Sequence, residues 1–269
     1  MNFLDLFKKS GTRIMSKAAA LDEGGYLLDE DSPFAMQEAY KALRTNLIFS
    51  VPDEGCKVIL ITSSVQGEAK TTTAINLAIA FAENGSKTVL IDADMRLPTG
   101  ATRLKVDQRP GLSNLLVGMS SFGESVRKLP CGLDFIPAGD IPPNPTELLG
   151  SDIMGRFIEA LKQKYEYVII DTPPVCTVAD AAILAGRASG VALVVRQNVA
   201  SRESVADAIR QLEFANAKIL GMIFTSVHND KQKSYKGKYG YGYGYGSKKR
   251  KEKAAEADTE RQQTETEKE

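Results

Sequence analysis

Six apolar runs rich in β-branched residues recur along the chain, and stretches with helical periodicity separate them. The runs are KVILIT (57–62), KTVLIDAD (87–94), LDFIPAG (133–139), YVIIDTP (167–173), VALVVRQ (191–197) and ILGMIFTSV (219–227). Continuous apolar runs of this length suit strands buried on both faces. Helical patterns fall at 34–49, 71–83, 153–164, 178–188 and 202–216. Strands that alternate with helices need crossover connections, which give a parallel sheet with helices on both faces. The expected class is therefore α/β.

Three segments are expected. Residues 1–33 are mixed and polar and read as an N-terminal arm, although Phe3, Leu4, Leu6 and Phe7 beside Lys8 and Lys9 would also suit a short membrane- or partner-binding helix. Residues 34–230 hold the strand and helix patterns. Residues 231–269 are first basic and Gly/Tyr-rich (YKGKYGYGYGYGSKKRK), then acidic and polar, which cannot build a core and predicts a disordered tail. No apolar run reaches membrane-spanning length, and the start lacks the apolar stretch of a signal peptide.

Lys and Arg total 34, matched by 34 Asp and Glu, so no overall basic field points to nucleic acid. Cys56, Cys131 and Cys176 have neither metal-type nor C-x-x-C spacing, which fits a reducing cytosol. His228 is the only histidine, so a histidine-based metal site is not expected.

Between the first strand and the next helical pattern lies SVQGEAKTT, residues 64–72. Its spacing matches the phosphate-binding loop G-x-x-x-x-G-K-[ST], in the strand–loop–helix setting that gives such a match weight. Ser64, Gln66, Gly67, Glu68, Ala69, Lys70, Thr71 and Thr72 are the candidate nucleotide-binding residues. Backbone N–H groups at a helix start hold phosphate oxygens, with Lys70 reaching the β- and γ-phosphates and the Thr71 hydroxyl serving Mg²⁺. Both pattern glycines are replaced, by Ser64 and Ala69. If Ala69 needs a left-handed backbone, its methyl costs about 1–2 kcal/mol; at negative φ it is harmless. Asp92, Asp94 and Asp171 end two further runs, at the edge where open α/β sheets bind ligands. With Thr71 they form a candidate magnesium site for ATP.

In this order the motifs resemble those of the bacterial tyrosine kinases of capsule and exopolysaccharide systems. EAYKALRTNL (38–47) is similar to the oligomerisation helix E-x-x-R-x-x-R, as Glu38, Lys41 and Arg44, with lysine replacing one arginine. SVQGEAKTT resembles the Walker A loop. VLIDADMR resembles the second motif, D-x-D-x-R, as Asp92, Asp94 and Arg96. VIIDTPP resembles Walker B, with Asp171 and Pro174. PPNPTELL (142–149) and the C-terminal tyrosines complete the likeness. Partition- and division-site ATPases share the fold but carry a second lysine where this chain has Val65.

The resemblance implies a P-loop NTPase-type fold and ATP-dependent phosphorylation of tyrosine. Lys70, Asp92, Asp94 and Arg96 would be catalytic, with Asp92 the first choice over Asp94 for accepting the tyrosine proton. Tyr235, Tyr239, Tyr241, Tyr243 and Tyr245 would be the acceptors. About ten flexible residues span roughly 18 Å, enough to reach a neighbouring subunit, so transfer in trans within a homo-oligomeric ring is expected. A membrane-spanning polysaccharide chain-length adaptor and a phosphotyrosine phosphatase are the implied partners, and the cytoplasmic face of the membrane the implied place. A nucleotide-driven positioning switch and a non-catalytic nucleotide-binding scaffold are the alternatives.

Overall fold

The structure is a computed structural model that describes residues 27–51 and 55–226. They belong to the first of two units into which the chain divides, Met1–Val227. Most of the expected arm, His228, the expected tail 231–269 and its tyrosines Tyr235, Tyr239, Tyr241, Tyr243 and Tyr245 lie outside the described residues.

The strands are β1 (Lys57–Ser63), β2 (Thr88–Asp92), β3 (Arg127–Lys128), β4 (Asp134–Ile136), β5 (Tyr167–Asp171), β6 (Gly190–Arg196) and β7 (Ile219–Thr225). The helices are α1 (Phe34–Ser50), α2 (Lys70–Glu83), α3 (Gly100–Arg103), α4 (Leu112–Leu116), α5 (Phe122–Ser125), α6 (Pro145–Gly150), α7 (Asp152–Lys162), α8 (Asp180–Ala185) and α9 (Arg202–Phe214). One seven-stranded sheet has the order β3-β4-β2-β5-β1-β6-β7. Every pairing is parallel except β3 with β4 at the edge.

The two-residue period of the strands divides the core. Val58 and Leu60 of β1, Val89 and Ile91 of β2, Val168 and Ile170 of β5, and Val191 and Leu193 of β6 face one apolar layer. That layer is closed by α4, α7, α8 and α9 through residues such as Leu115, Phe157, Leu184 and Leu212. Ile59, Ile61, Leu90, Ile169 and Val194 face the other, where Ile75, Ala78 and Phe81 of α2 pack. Strands buried on both sides read as unbroken apolar runs for this reason.

All six strand runs form strands, but β7, expected to be buried on both faces, lies at the sheet edge with Met222 and Phe224 exposed; the other differences lie at strand ends. β2 stops at Asp92 because that carboxylate accepts the Asp94 backbone N–H and turns the chain. β4 covers only three residues before Pro137, which has no N–H to continue the ladder. The helical stretch at 178–188 shortens to Asp180–Ala185, closed at Gly186. α3 to α6 and β3 are four, five, four, six and two residues long. Elements this short show no period in the sequence.

α2 is buried from its first turn to Ala82, between the sheet and α1. Leu27 and Leu28, in the stretch expected to be a loose arm, are instead buried against this layer. The Leu28 N–H donates to Asn76 Oδ1 at 2.8 Å, so a polar residue in the middle of α2 pins the chain ahead of α1. Replacing Asn76 with alanine leaves that buried N–H unsatisfied. The expected loss is about 1–3 kcal/mol in denaturant unfolding, with faster proteolysis before Pro33; unchanged stability and protection would show that the anchor is not made in solution.

Candidate functional site

The register of the sheet places the site. Asp92 on β2 and Asp171 on β5 are direct register partners, and Asp171 is also paired with Ile61 of β1. β1 lies between β5 and β6, so the loop that leaves its C-terminal end for α2 emerges beside both acidic strand ends. A cavity of about 300 Å³ opens there. Gln66, Gly67, Glu68, Ala69, Lys70, Thr71 and Thr72 form one wall, and Asp94, Arg96, Arg103, Pro173 and Pro174 contribute the rest with neighbouring residues. Ser64, Asp92 and Asp171 stand behind the wall, each at most 1% exposed.

The loop explains how the chain manages without the two glycines. Gly67 has φ 86°, and Ala69, the residue before α2, is left-handed at φ 64° and ψ 26°. The alanine therefore carries the cost of about 1–2 kcal/mol. Glu68, 1% exposed, sits between them as a brace. Its Oε2 accepts the Ser64 hydroxyl at 2.9 Å and the Val65 N–H at 2.8 Å, and its Oε1 accepts the Arg196 N–H at 3.1 Å. The Glu68 carbonyl accepts from Thr225 Oγ1, and the Gly67 carbonyl from Arg196 Nη1. These bonds tie the loop to β6 and β7 and hold the left-handed residue in place. Ser64, where the usual pattern has glycine, supplies one of these bonds.

Lys70 begins α2 with its ammonium only 7% exposed. Nζ pairs with Asp171 Oδ1 at 2.8 Å, lies 3.3 Å from Thr71 Oγ1 and 3.7 Å from Asp94 Oδ2. Asp92 gives one oxygen to the Asp94 N–H and the other to the Gly100 N–H at 3.0 Å. Burial and then the nearby Asp171 charge push the Asp92 carboxyl up to about 8. Burial also raises Asp171, against the pull of the Lys70 ammonium. One ammonium thus pairs with two carboxylates, and Asp171 Oδ2 is buried without a hydrogen-bond partner.

That surplus of carboxylate oxygen beside the Thr71 hydroxyl fits a hard divalent cation. Among the described residues no three acidic, histidine or cysteine side chains form a metal cage of their own. Magnesium does not need one, because it takes one or two carboxylates and completes its shell with phosphate oxygens and water.

Arg96 also reaches the cavity, through a network its motif does not announce. Its Nε donates to Asp180 Oδ2 at 2.9 Å, and its Nη2 to Asp180 Oδ1 at 3.2 Å and Thr146 Oγ1 at 2.7 Å. Asp180 was missed from sequence because an acid in the first turn of a helix looks like an ordinary terminus. Thr146 lies in PPNPTELL, which was a signal without a role. Arg103 of α3 had no signal. On α1, Glu38 and Lys41 pair on the exposed surface at 2.8 Å, while Arg44 Nη1 donates to the Ala80 carbonyl of α2 at 2.7 Å.

A parallel sheet whose first strand runs through such a loop into a Lys-Thr helix, with acidic ends on adjacent strands, defines a P-loop NTPase-type domain. A family model described as an AAA domain matches residues 56–220. Within that class the chain belongs to the bacterial tyrosine-protein kinases. It is 38% identical over 236 residues to the tyrosine-protein kinase YwqD of Bacillus subtilis, covering 87% of this chain and 96% of that one. The kinase domain of the Escherichia coli tyrosine kinase ETK superposes with a TM-score of 0.71 at 30% identity, over 91% of this chain and 92% of that one. The chimerical protein CapA2B2 gives 0.71 at 32% identity, over 83% and 98%.

The strain at Ala69 can be measured. Ala69→Gly removes about 1–2 kcal/mol of left-handed cost and adds about 0.5–1 kcal/mol of unfolded-state entropy. The variant should gain up to about 1 kcal/mol in denaturant unfolding; a loss of stability would mean that the loop is not left-handed here.

Proposed function

We propose that the protein is an ATP-dependent protein-tyrosine autokinase that phosphorylates, in trans, its C-terminal cluster Tyr235, Tyr239, Tyr241, Tyr243 and Tyr245. By this reaction it regulates capsular or exopolysaccharide synthesis and export. The observation that carries this reading is the buried Lys70 ammonium held by Asp171 Oδ1 and Asp94 at the start of α2, with the second Asp171 oxygen left unpartnered.

In this reading the N–H groups at the start of α2 and of the braced loop cradle the phosphates of ATP. Magnesium would be held by the Thr71 hydroxyl with one or two of the carboxylates of Asp94, Asp171 and Asp92, and would supply charge neutralisation on the phosphate oxygens. Lys70 leaves its carboxylates in part and turns to the γ-phosphate, a short move for a flexible side chain. Arg96 faces the same developing negative charge. The Asp92–Asp94 turn supplies the carboxylate that takes the tyrosine hydroxyl proton. Asp92 is the first choice from sequence; Asp94 is the member on the cavity wall. Pro173 and Pro174 line the cavity and, having no N–H, add no competing donors there.

Transfer in trans requires a neighbour, and a homo-oligomeric ring through α1, with Glu38, Lys41 and Arg44 at or beside the contact, supplies one. Phe34 and Phe49 of α1 are 77% and 82% exposed, which suits a helix that is covered in an assembly. Among the described residues no helix is long and apolar enough to cross a membrane. In this reading a membrane-spanning adaptor of the polysaccharide system holds the kinase at the cytoplasmic membrane face, and a phosphotyrosine phosphatase resets it.

Phosphosite mapping after incubation with magnesium and ATP tests the proposal, with Lys70→Met as control. Phosphate should appear on the residues between Tyr235 and Tyr245 and fall by about 10²–10³-fold in the control. Bound ATP with no phosphotyrosine, with or without the adaptor's cytoplasmic segment, would overturn it in favour of a scaffold.

A further inference from the structure

We propose that Asp180 and Thr146 are positioning residues for phosphoryl transfer, and that together they hold the Arg96 guanidinium against the cavity. The proposal rests on the kinase reading for its purpose, but its geometry stands apart from it. Asp180 is wholly buried, and Arg96 is its ion-pair partner among the described residues. The pair is bidentate, which fixes the plane of the guanidinium as well as its place. Thr146 closes the network. Its hydroxyl accepts from Arg96 Nη2 at 2.7 Å and donates to Asp180 Oδ1 at 2.5 Å. Nε and Nη2 are thereby committed, and Nη1 makes no hydrogen bond among the described residues.

The network is more than a fastening between helices. Exchanging a buried ion pair for well-packed apolar groups is often neutral or favourable, so such a pair is weak evidence for stability as such. Here its cationic member is not sealed in. The Arg96 side chain is 38% exposed and lies on the cavity wall with Lys70 and Asp94. A free arginine would surrender much rotamer freedom on meeting a phosphoryl group; one already anchored at two nitrogens meets it with that cost met in folding. The anchor is itself rigid. Thr146 follows Pro145, whose ring fixes the first residue of α6, and α6 packs on α8, which carries Asp180. Arg187 ties the two together by donating to the carbonyls of Gly150 and Ser151 at 3.0 and 2.8 Å. PPNPTELL thus gains a role: it delivers one hydroxyl to one arginine.

The test uses the full chain and a transferring-phosphoryl mimic, magnesium–ADP with aluminium fluoride, compared with magnesium–ADP. Asp180→Asn keeps the shape and removes the charge. It should weaken binding of the mimic by about 10-fold or more while ADP binding stays within about 2-fold. In an Arg96→Ala background the same substitution should add less than about 2-fold, because both act through one group. Thr146→Val, which removes only a hydroxyl, should show the same selective loss to a smaller extent, and Thr146→Ser should restore it. In the ligand-free protein the Arg96 Nε–H signal should be sharp and slow to exchange, and should be lost in Asp180→Asn. Equal weakening of ADP and mimic, additive effects in the Arg96→Ala background, or a wild type that does not prefer the mimic would each overturn the proposal. A wild type that prefers the mimic yet makes no phosphotyrosine would sink the kinase reading and leave this one standing.

Discussion

An ammonium group buried against a carboxylate governs this molecule. Lys70 is enclosed at the start of α2 with Asp171 at 2.8 Å. Taking two such charges out of water costs several kcal/mol each, and only close pairing repays it. That requirement fixes much else. The loop must deliver α2 at one height beside β5, so β1 must lie next to β5. The loop must not sag, so Glu68 braces it to β6 and, through its carbonyl, to β7. The pair also holds the Lys70 ammonium, largely dehydrated, on the wall of the cavity beside Thr71.

The layered fold was legible in the sequence because every interior strand is apolar on both sides. A strand such as VIL in β1 or VII in β5 meets α2 on one face and α7 or α8 on the other, so nothing polar interrupts it. The cavity wall from Gln66 to Thr72, with Asp94 and Arg96, was legible for a different reason: these residues sit at a strand's end or just past it, where the sequence itself marks the change from apolar to polar. The buried stretch at Leu27 and Leu28 was not, because two leucines among polar neighbours carry no period.

The supporting side chains were hidden by distance along the chain. Glu68 meets Arg196 across 128 residues, Arg96 meets Asp180 across 84 and Thr146 across 50. No local pattern ties such partners together. Glu68 in particular reads as a solvated loop residue, and only its burial shows that it substitutes for the conformational freedom of the absent glycines. The replaced loop residues therefore say little about whether the site is crippled, since the compensation lies on other strands.

The register between β2 and β5 has a consequence of its own. Asp92 and Asp171 are partners in the ladder, so their backbones stand one strand spacing apart, about 4.8 Å. The sheet acts as a ruler whose graduations are strand ends, and aspartate is the pointer length for which it is marked. A glutamate at either position would keep the carboxyl group and overshoot the mark by a methylene. Gly100 shows how little slack there is: a Cβ there would stand 2.8 Å from the Asp92 carboxylate. In this family of shapes, calibration is stored in side-chain length, and charge conservation by itself does not preserve it.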